Sequence, residues 1–365
     1  MGSPSRRSHF FWMADPRPNR RLRRSDCSGP GLHRRRIGRG FVYLRESGER
    51  IRDASTLERV RDLAIPPAWT DVWICPDSNG HLQATGIDSA GRKQYLYHPR
   101  WRAHRDRQKF GRMTRFGALL PMLRRRITRD LAAEDLGHAR VLACAIRLLD
   151  VGMFRIGSQQ YAEDDGGIGL ATIRREHVSI QGGAVVFDYP AKGGQRRAQV
   201  ITDPRSFETV RALKRRRSGP PELLAYRASR RWQPLRSDEI NDYLKEHLGE
   251  EFSAKDFRTW NASVMAAVAL AADDADAGSK AARKRAIDQA VRAVAELLGN
   301  TPAVARRSYI DPRVFDRYGS GWTIAGALGR IPDLDPADDR VRARIEAAVL
   351  DLLAENTESP SLVQI

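Results

Sequence analysis

The sequence predicts an α+β protein: a small β-rich N-terminal domain followed by a larger, mainly α-helical domain with a β-hairpin insertion. Three observations carry this. Short apolar stretches set apart by turn residues fill the chain from residue 41 to about 112. Apolar residues recur at helical spacing after Met113. One hairpin signal interrupts the helical part, where Val178, Ile180, Val185, Val186 and Phe187 flank Gln181-Gly182-Gly183. A chain of 365 residues is long enough for two or three domains.

In chain order, residues 1–40 hold eleven arginines and only Asp15 and Asp26 as acids, with no helical or strand period. They are predicted to be a disordered basic arm. An organelle transit sequence shares that composition, but no amphipathic helix can be traced, and a true start at Met13 is a further alternative. Residues 41–112 form the predicted β-rich domain, with strands at Val72-Trp73-Ile74-Cys75 and Gln94-Tyr95-Leu96-Tyr97. Pro66-Pro67, Ser78-Asn79-Gly80 and Ala90-Gly91 supply its turns. Residues 113–330 form the helical domain. Phe116, Leu119, Leu120, Leu123 and Ile127 share one helix face, and Val141, Cys144, Leu148 and Leu149 another. Beyond the hairpin, helices are predicted over 206–213, 237–248, 254–272 and 279–298. Residues 331–365 are a C-terminal helix, over 336–355, and a tail.

Lys and Arg number 63 against 45 Asp and Glu, a net charge of +18. Such an excess points to a polyanionic partner held with a steep salt dependence, although a solvated basic surface has the same composition. Cys27, Cys75 and Cys144 are odd in number and far apart, so neither a disulfide framework nor a zinc site is signalled, and a cytoplasmic location fits. The histidines lack ligand spacing and no GxxxxGK[ST] loop is present, so neither a metal nor another cofactor is implied. No apolar run is long enough to span a membrane.

Breaking a phosphodiester without a metal needs a nucleophile, fixed cations for the non-bridging oxygens and an acid for the leaving alkoxide. The helical domain offers all three. Tyr309 closes the run Gly299-Asn300-Thr301-Pro302-Ala303-Val304-Ala305-Arg306-Arg307-Ser308-Tyr309. Arg258 stands in Lys255-Asp256-Phe257-Arg258-Thr259-Trp260, at the start of an apolar helix where backbone dipole and guanidinium face an anion together. Arg155 stands in Met153-Phe154-Arg155-Ile156-Gly157, at the end of another. Lys192 lies in the Gly-rich turn Tyr189-Pro190-Ala191-Lys192-Gly193-Gly194-Gln195. Singly, each has an ordinary reading: a half-buried surface tyrosine, salt-bridged arginines, an exposed loop lysine.

Taken in order, these four residues and their surroundings resemble type IB DNA topoisomerases, in particular the short bacterial and poxvirus-like group. Ala64-Ile65-Pro66-Pro67-Ala68-Trp69, Gly86-Ile87-Asp88 and Gly91-Arg92-Lys93-Gln94-Tyr95-Leu96-Tyr97 extend the resemblance upstream, so that it runs from about Gly40 to Tyr318. It implies that Tyr309 attacks phosphorus and holds the DNA 3′-phosphate, that Arg155 and Arg258 steady the transition state, and that Lys192 protonates the leaving 5′-oxygen. It also implies a monomer clamped around duplex DNA in the bacterial nucleoid, with Arg92, Lys93, Gln94, Tyr95 and Tyr97 as DNA contacts.

Asn300 departs from the pattern, since many members carry His after Leu-Gly. Asparagine donates an N–H but cannot become cationic. Glu163, Asp164 and Asp165 read as a solvated turn, and Arg124 to Arg126 and Arg215 to Arg217 as duplex-facing or simply solvated. Two rivals stand beside the main reading. Tyrosine recombinases share the chemistry, but the segment before Arg258 lacks the His they commonly carry and the N-terminal part is not helical. A non-catalytic basic DNA-binding protein explains the charge but not four motifs in order.

Overall fold

The computed structural model describes residues 21–158, 167–272, 279–335 and 338–365. Two compact units divide the chain, residues 1–109 and 110–365.

The first unit is built on an antiparallel sheet of β1 (Leu32–Ile37), β2 (Gly40–Leu44), β3 (Thr70–Ile74), β4 (Leu82–Ile87) and β5 (Lys93–Tyr97), in the spatial order β2-β1-β3-β4-β5. Leu32, Ile51, Val60, Val72, Ile74 and Ala84 form its core with helix α1 (Ala54–Asp62). Asp53 caps α1 by accepting from the Thr56 N–H at 2.8 Å, and hydrogen bonds from Thr56 and Ser55 hold its carboxyl down at about 2.

Within the predicted disordered arm, residues 32–37 form β1 and Gly40 opens β2, while Arg23 makes an isolated bridge to Gly80; residues 1–20 lie outside the described part. The arginines of β1 concealed a strand because its main-chain pairing, Arg35 opposite Val42 and Arg34 opposite Tyr43, needs no apolar alternation. Arg34 also works inward, donating to the carbonyls of Ile65, Pro66 and Trp69 at 3.1, 2.9 and 2.7 Å and so pinning the Pro66-Pro67 turn. The β-rich segment ends sooner than the sequence predicts: Pro99 opens a 33-residue helix, α2 (Pro99–Leu131), whose basic first turns lack an apolar stripe.

In the second unit α3 (His138–Gly152) is the central helix, buried on all sides from Val141 to Asp150. The predicted hairpin is present as β6 (Val178–Gln181) and β7 (Ala184–Pro190), with Gly182 and Gly183 at φ 53° and 82° supplying the left-handed turn. A third strand, β8 (Arg196–Ile201), completes that sheet, so Lys192 occupies a β7–β8 connection.

Helix α4 (Pro204–Arg215) and the short hairpin of β9 (Ala225–Ala228) and β10 (Arg231–Pro234) follow. Helices α5 (Ser237–Leu248), α6 (Ala254–Ala271), α7 (Lys280–Leu298), α8 (Pro302–Ser308) and α9 (Pro312–Gly319) come next. The chain ends with β11 (Trp322–Thr323), α10 (Ala325–Leu328), α11 (Asp339–Leu353) and β12 (Val363–Gln364).

The C-terminal segment is not a separate appendage. Strand β12 pairs with β11, and α11 buries Ala348, Val349, Leu352 and Leu353 in the common core. A buried ion cluster fastens it. Asp150, on the last turn of α3, accepts from Arg124 of α2 at 2.8 and 2.9 Å and from Arg342 of α11 at 2.7 and 2.9 Å. Arg124 also grips Glu346 of α11 at 2.6 and 2.8 Å. Arg147 joins Asp203 and Asp339 at 2.6 and 2.7 Å.

Arg124 was expected to face duplex or solvent, and it is 5% exposed. Arg216 of the second basic run is buried too. A helix presents consecutive residues to different faces, so one arginine of a basic run meets the core while Arg125 and Arg126 remain exposed.

Burial raises the Asp150 carboxyl while Arg124 and Arg342 lower it, and the net result lies well below the usual carboxylate range. Its stabilising contribution is therefore complete above the ordinary carboxylate pKa and is lost only as pH falls below it. Asp150→Ala removes the carboxylate shared by Arg124, Arg342 and Arg147, leaves more buried positive charge than Glu346, Asp203 and Asp339 offset, and is expected to cost about 3–5 kcal/mol in denaturant unfolding at neutral pH. A loss under about 1 kcal/mol would show that the cluster is not what fastens α11.

Candidate active site

The C-terminal end of α7 organises the site. A helix leaves its last carbonyls without internal partners and carries partial negative charge there. Gly299 turns the chain out at φ 59°, and the Asn300 N–H returns to the Ala295 carbonyl at 2.9 Å. Three successive carbonyls then accept from three different arginines. Arg197 of β8 donates to Leu297 O at 2.5 Å, Arg258 of α6 to Leu298 O at 2.8 Å, and Arg155, just past α3, to Gly299 O at 3.0 Å.

Each arginine is held from a second side. Arg155 also donates to Asn300 Oδ1 at 2.8 Å. Its segment is locked where Gly157 meets Gly169: a Cβ on Gly157, at φ 72°, would lie 2.6 Å from the Gly169 Cα. The Arg155 carbonyl accepts from the Leu170 N–H at 2.8 Å. Arg258 is 2% exposed and donates a further bond to the Met153 carbonyl. Its Nε and the Nδ2 of Asn300 are buried with no hydrogen-bond partner among the described residues.

Tyr309 follows α8, which Thr301 caps and Pro302 opens. Ser263 of α6 ties down this backbone, accepting from the Asp311 N–H at 2.9 Å while its hydroxyl proton is shared between the Thr259 carbonyl at 3.0 Å and the Tyr309 carbonyl at 3.4 Å. The half-buried Tyr309 ring lies under the Arg258 guanidinium, 5.2 Å from Cζ to the ring centroid. Burial pushes the phenol up, but attraction to Arg258, a hydrogen bond with it, and the charges of Lys255 and Arg155 prevail, so the net shift is downward. Burial lowers Arg258 to about 10, still fully cationic at neutral pH.

Arg155, Arg258, Asn300 and Tyr309, four of the sequence-predicted residues, thus meet at one helix end. Lys192 is exposed on the Gly-rich turn, where Gly193 and Gly194 adopt φ 77° and 73°. It lines a cavity of about 340 Å³ together with Arg155, Ser158, Ser237 and Asn241.

In the first unit, Lys93, Tyr95 and Tyr97 share one face of the edge strand β5. The two exposed tyrosine rings are stacked with centroids 6.3 Å apart. Gln94 points to the opposite face and donates to Asp88 at 2.9 Å, and Arg92 pairs with the same carboxylate at 3.1 Å. Glu163, Asp164 and Asp165 lie outside the described residues, and among the described residues no group of three His, Cys, Asp or Glu is placed to hold a metal. No described helix is long and apolar enough to cross a membrane.

The family described as eukaryotic DNA topoisomerase I, catalytic core, matches residues 98–320, and bacterial DNA topoisomerase IB, N-terminal domain, matches residues 40–88. The chain belongs to the type IB DNA topoisomerases. The DNA topoisomerase 1B of Acanthamoeba polyphaga mimivirus is 29% identical over 303 residues, covering 79% of this chain and 87% of the viral one. The DNA topoisomerase I of Monkeypox virus is 19% identical over 268 residues, 72% and 82% of the two chains. A fungal relative, DNA topoisomerase 1 of Schizosaccharomyces pombe, is 29% identical over 167 residues, 45% of this chain and 19% of its own.

Sequence reasoning missed two residues of this type IB topoisomerase that meet at the arginine cluster, one arginine and one tyrosine. Arg197 alternates with Gln199 and Ile201 on the inward face of β8, a period-two signal hidden in a basic segment. Tyr189 is 3% exposed; burial raises its phenol against the opposing pull of Arg197, Arg258 and Arg155.

Removing the cation over Tyr309 leaves burial as the largest influence on its phenol. In Arg258→Met the Tyr309 hydroxyl is expected to titrate above the ordinary value of about 10 instead of below it. Spectrophotometric titration, differenced against the matching Tyr309→Phe protein, reads this directly. An unchanged phenol would remove Arg258 as the group that governs it.

Proposed function

We propose that the protein relaxes supercoiled duplex DNA without ATP or a metal, by cutting one strand through a 3′-phosphotyrosyl intermediate and resealing it. The observation that carries this reading is the Tyr309 phenol under a buried Arg258, at the helix end that also gathers Arg155 and Asn300.

Tyr309 attacks the phosphorus. Its lowered pKa raises the phenolate fraction at neutral pH, and Arg258 stabilises the charge that develops on its oxygen. Arg155 and Arg258 hold the non-bridging oxygens of the pentavalent transition state. Two buried donors without partners among the described residues, Arg258 Nε and Asn300 Nδ2, are suited to donate to phosphate oxygens. Guanidinium stays charged and offers a planar fork, which fits it to the oxygen-binding positions; an ammonium gives up its proton more readily, which fits Lys192 to the leaving 5′-oxygen.

The 5′ end then rotates, and the freed hydroxyl attacks the phosphotyrosine in reverse. The phosphotyrosyl bond conserves the energy of the phosphodiester, so resealing needs no ATP. A net charge of +18 and the exposed Lys93, Tyr95 and Tyr97 on β5 suit a monomer that clamps duplex DNA within the nucleoid.

Plasmid relaxation in EDTA without ATP, with detergent trapping of covalent adduct, tests the reading. Wild type is expected to relax the plasmid and leave protein on the 3′ end, while Tyr309→Phe binds DNA but forms no adduct. Arg258→Lys is expected to cleave about 10²–10³-fold more slowly, because an ammonium cannot keep both the fork and the carbonyl bonds. Near wild-type cleavage by that variant would remove the role given to Arg258. Full-rate cleavage by Asn300→Ala would likewise take Asn300 out of the site.

A further inference from the structure

We propose that Arg197 is a positioning residue of the cleavage reaction, supplying beside Asn300 the positive charge that an asparagine cannot carry. The inference rests on the relaxation mechanism above and concerns a residue outside the set drawn from sequence.

Four observations support it. Arg197 reaches from β8 to the carbonyl of Leu297, next to the carbonyls taken by Arg258 and Arg155, so it is the third guanidinium of one helix end. Its Nη1 lies against Gly299: a Cβ there would be 2.6 Å away, and the neighbouring residue is Asn300. Gln199 orients the head, accepting from Arg197 Nε at 2.9 Å, and is itself fixed by donating to the Gly152 carbonyl at 3.1 Å. Arg197 and Arg155 also line a common cavity of about 690 Å³ that runs between β8 and the end of α7.

A carboxylate can neutralise an arginine locally. Arg196, its neighbour, is paired in this way with Asp188. Arg197 instead sits beside two other arginines, and burial and the charge of Arg155 both act to lower its pKa, against the opposing pull of Tyr189. Concentrating like charge in this way is unfavourable until an anion arrives, and the scissile phosphate is such an anion. Arg197 therefore does two things at one remove from the phosphorus. It fixes the Gly299–Asn300 turn, and it adds to the positive potential in which Tyr309 and the phosphate react.

The test separates the charge from the scaffold. Single-turnover cleavage of duplex DNA is measured for wild type and for Arg197→Gln, Arg197→Lys and Arg197→Gln/Asn300→His, with DNA affinity and thermal unfolding followed alongside. Arg197→Gln keeps a donor for Leu297 O but loses the charge; its cleavage is expected to fall about tenfold or more, with affinity changed by less than about threefold. Arg197→Lys should recover most of that loss.

In the double variant the introduced imidazole takes the place of the Asn300 amide beside Arg155. Its cleavage rate is expected to rise relative to Arg197→Gln as pH is lowered through and below about 6.5, the range in which an imidazole becomes cationic. Cleavage by Arg197→Gln within about twofold of wild type would overturn the proposal. So would a loss that tracks a lowered melting temperature and is not relieved by Arg197→Lys or by the protonated imidazole, since that is the behaviour of a scaffold residue. A wild-type protein that forms no covalent adduct would sink the relaxation mechanism itself, a result distinct from any difference among the Arg197 variants.

Discussion

The C-terminal end of α7 is the point on which the site depends. Its last carbonyls have no helical partners and lie at the negative end of the peptide dipole, so they can hold guanidinium groups that would otherwise repel one another. Arg197, Arg258 and Arg155 come from a strand, a helix and the segment after another helix, and each takes one carbonyl of Leu297, Leu298 and Gly299. Without that end the three cations have no shared partner. With it they form a compact positive site before any phosphate is present, next to the tyrosine that follows α8.

That arrangement needs a rigid frame, and the buried ions at the end of α3 provide one. Asp150 lies five residues before Arg155 and pairs with Arg124 of α2, with Arg342 of the C-terminal helix α11 and, at 3.5 Å, with Arg147 of its own helix. Its backbone carbonyl also accepts from Asn261 of α6 at 2.7 Å, three residues beyond Arg258. The segments carrying Arg155 and Arg258 are thus cross-linked through Asp150 as well as through the bond from Arg258 to Met153 O. Ion pairs buried this deeply often add little net stability over apolar packing; what they do is penalise any arrangement that leaves one member unpaired. The C-terminal segment, which the family resemblance does not reach, is tied into the frame of the site through them.

Much of this was legible in the sequence because it depends on local pattern. Helical periodicity located α5, α6 and α7 within a residue or two, and two consecutive glycines marked the β6–β7 turn. Tyr309, Arg258, Arg155 and Asn300, which the structure brings together, were singled out as an ordered set, since each alone has an ordinary reading. Basic segments were read least well. The strand inside the arginine-rich arm, the burial of Arg124 and the inward face of β8 all involve arginines whose partners are backbone carbonyls or distant acids, Glu346 lying 222 residues from Arg124. A charge count treats such residues as solvated, since nothing near them in sequence marks them as paired.

The amino-acid sequence alone determined the order of elements, which tyrosine and arginines stand in the motif segments, and the strongly basic character of the chain, because these follow from residue type and short-range spacing. Only the tertiary structure decided which arginines act together. Whether a guanidinium faces water, a buried carboxylate or a helix end depends on chain segments that meet across long loops, and that choice separates Arg124, locked in a buried ion cluster, from Arg197, placed at the helix end that also holds Arg155 and Arg258.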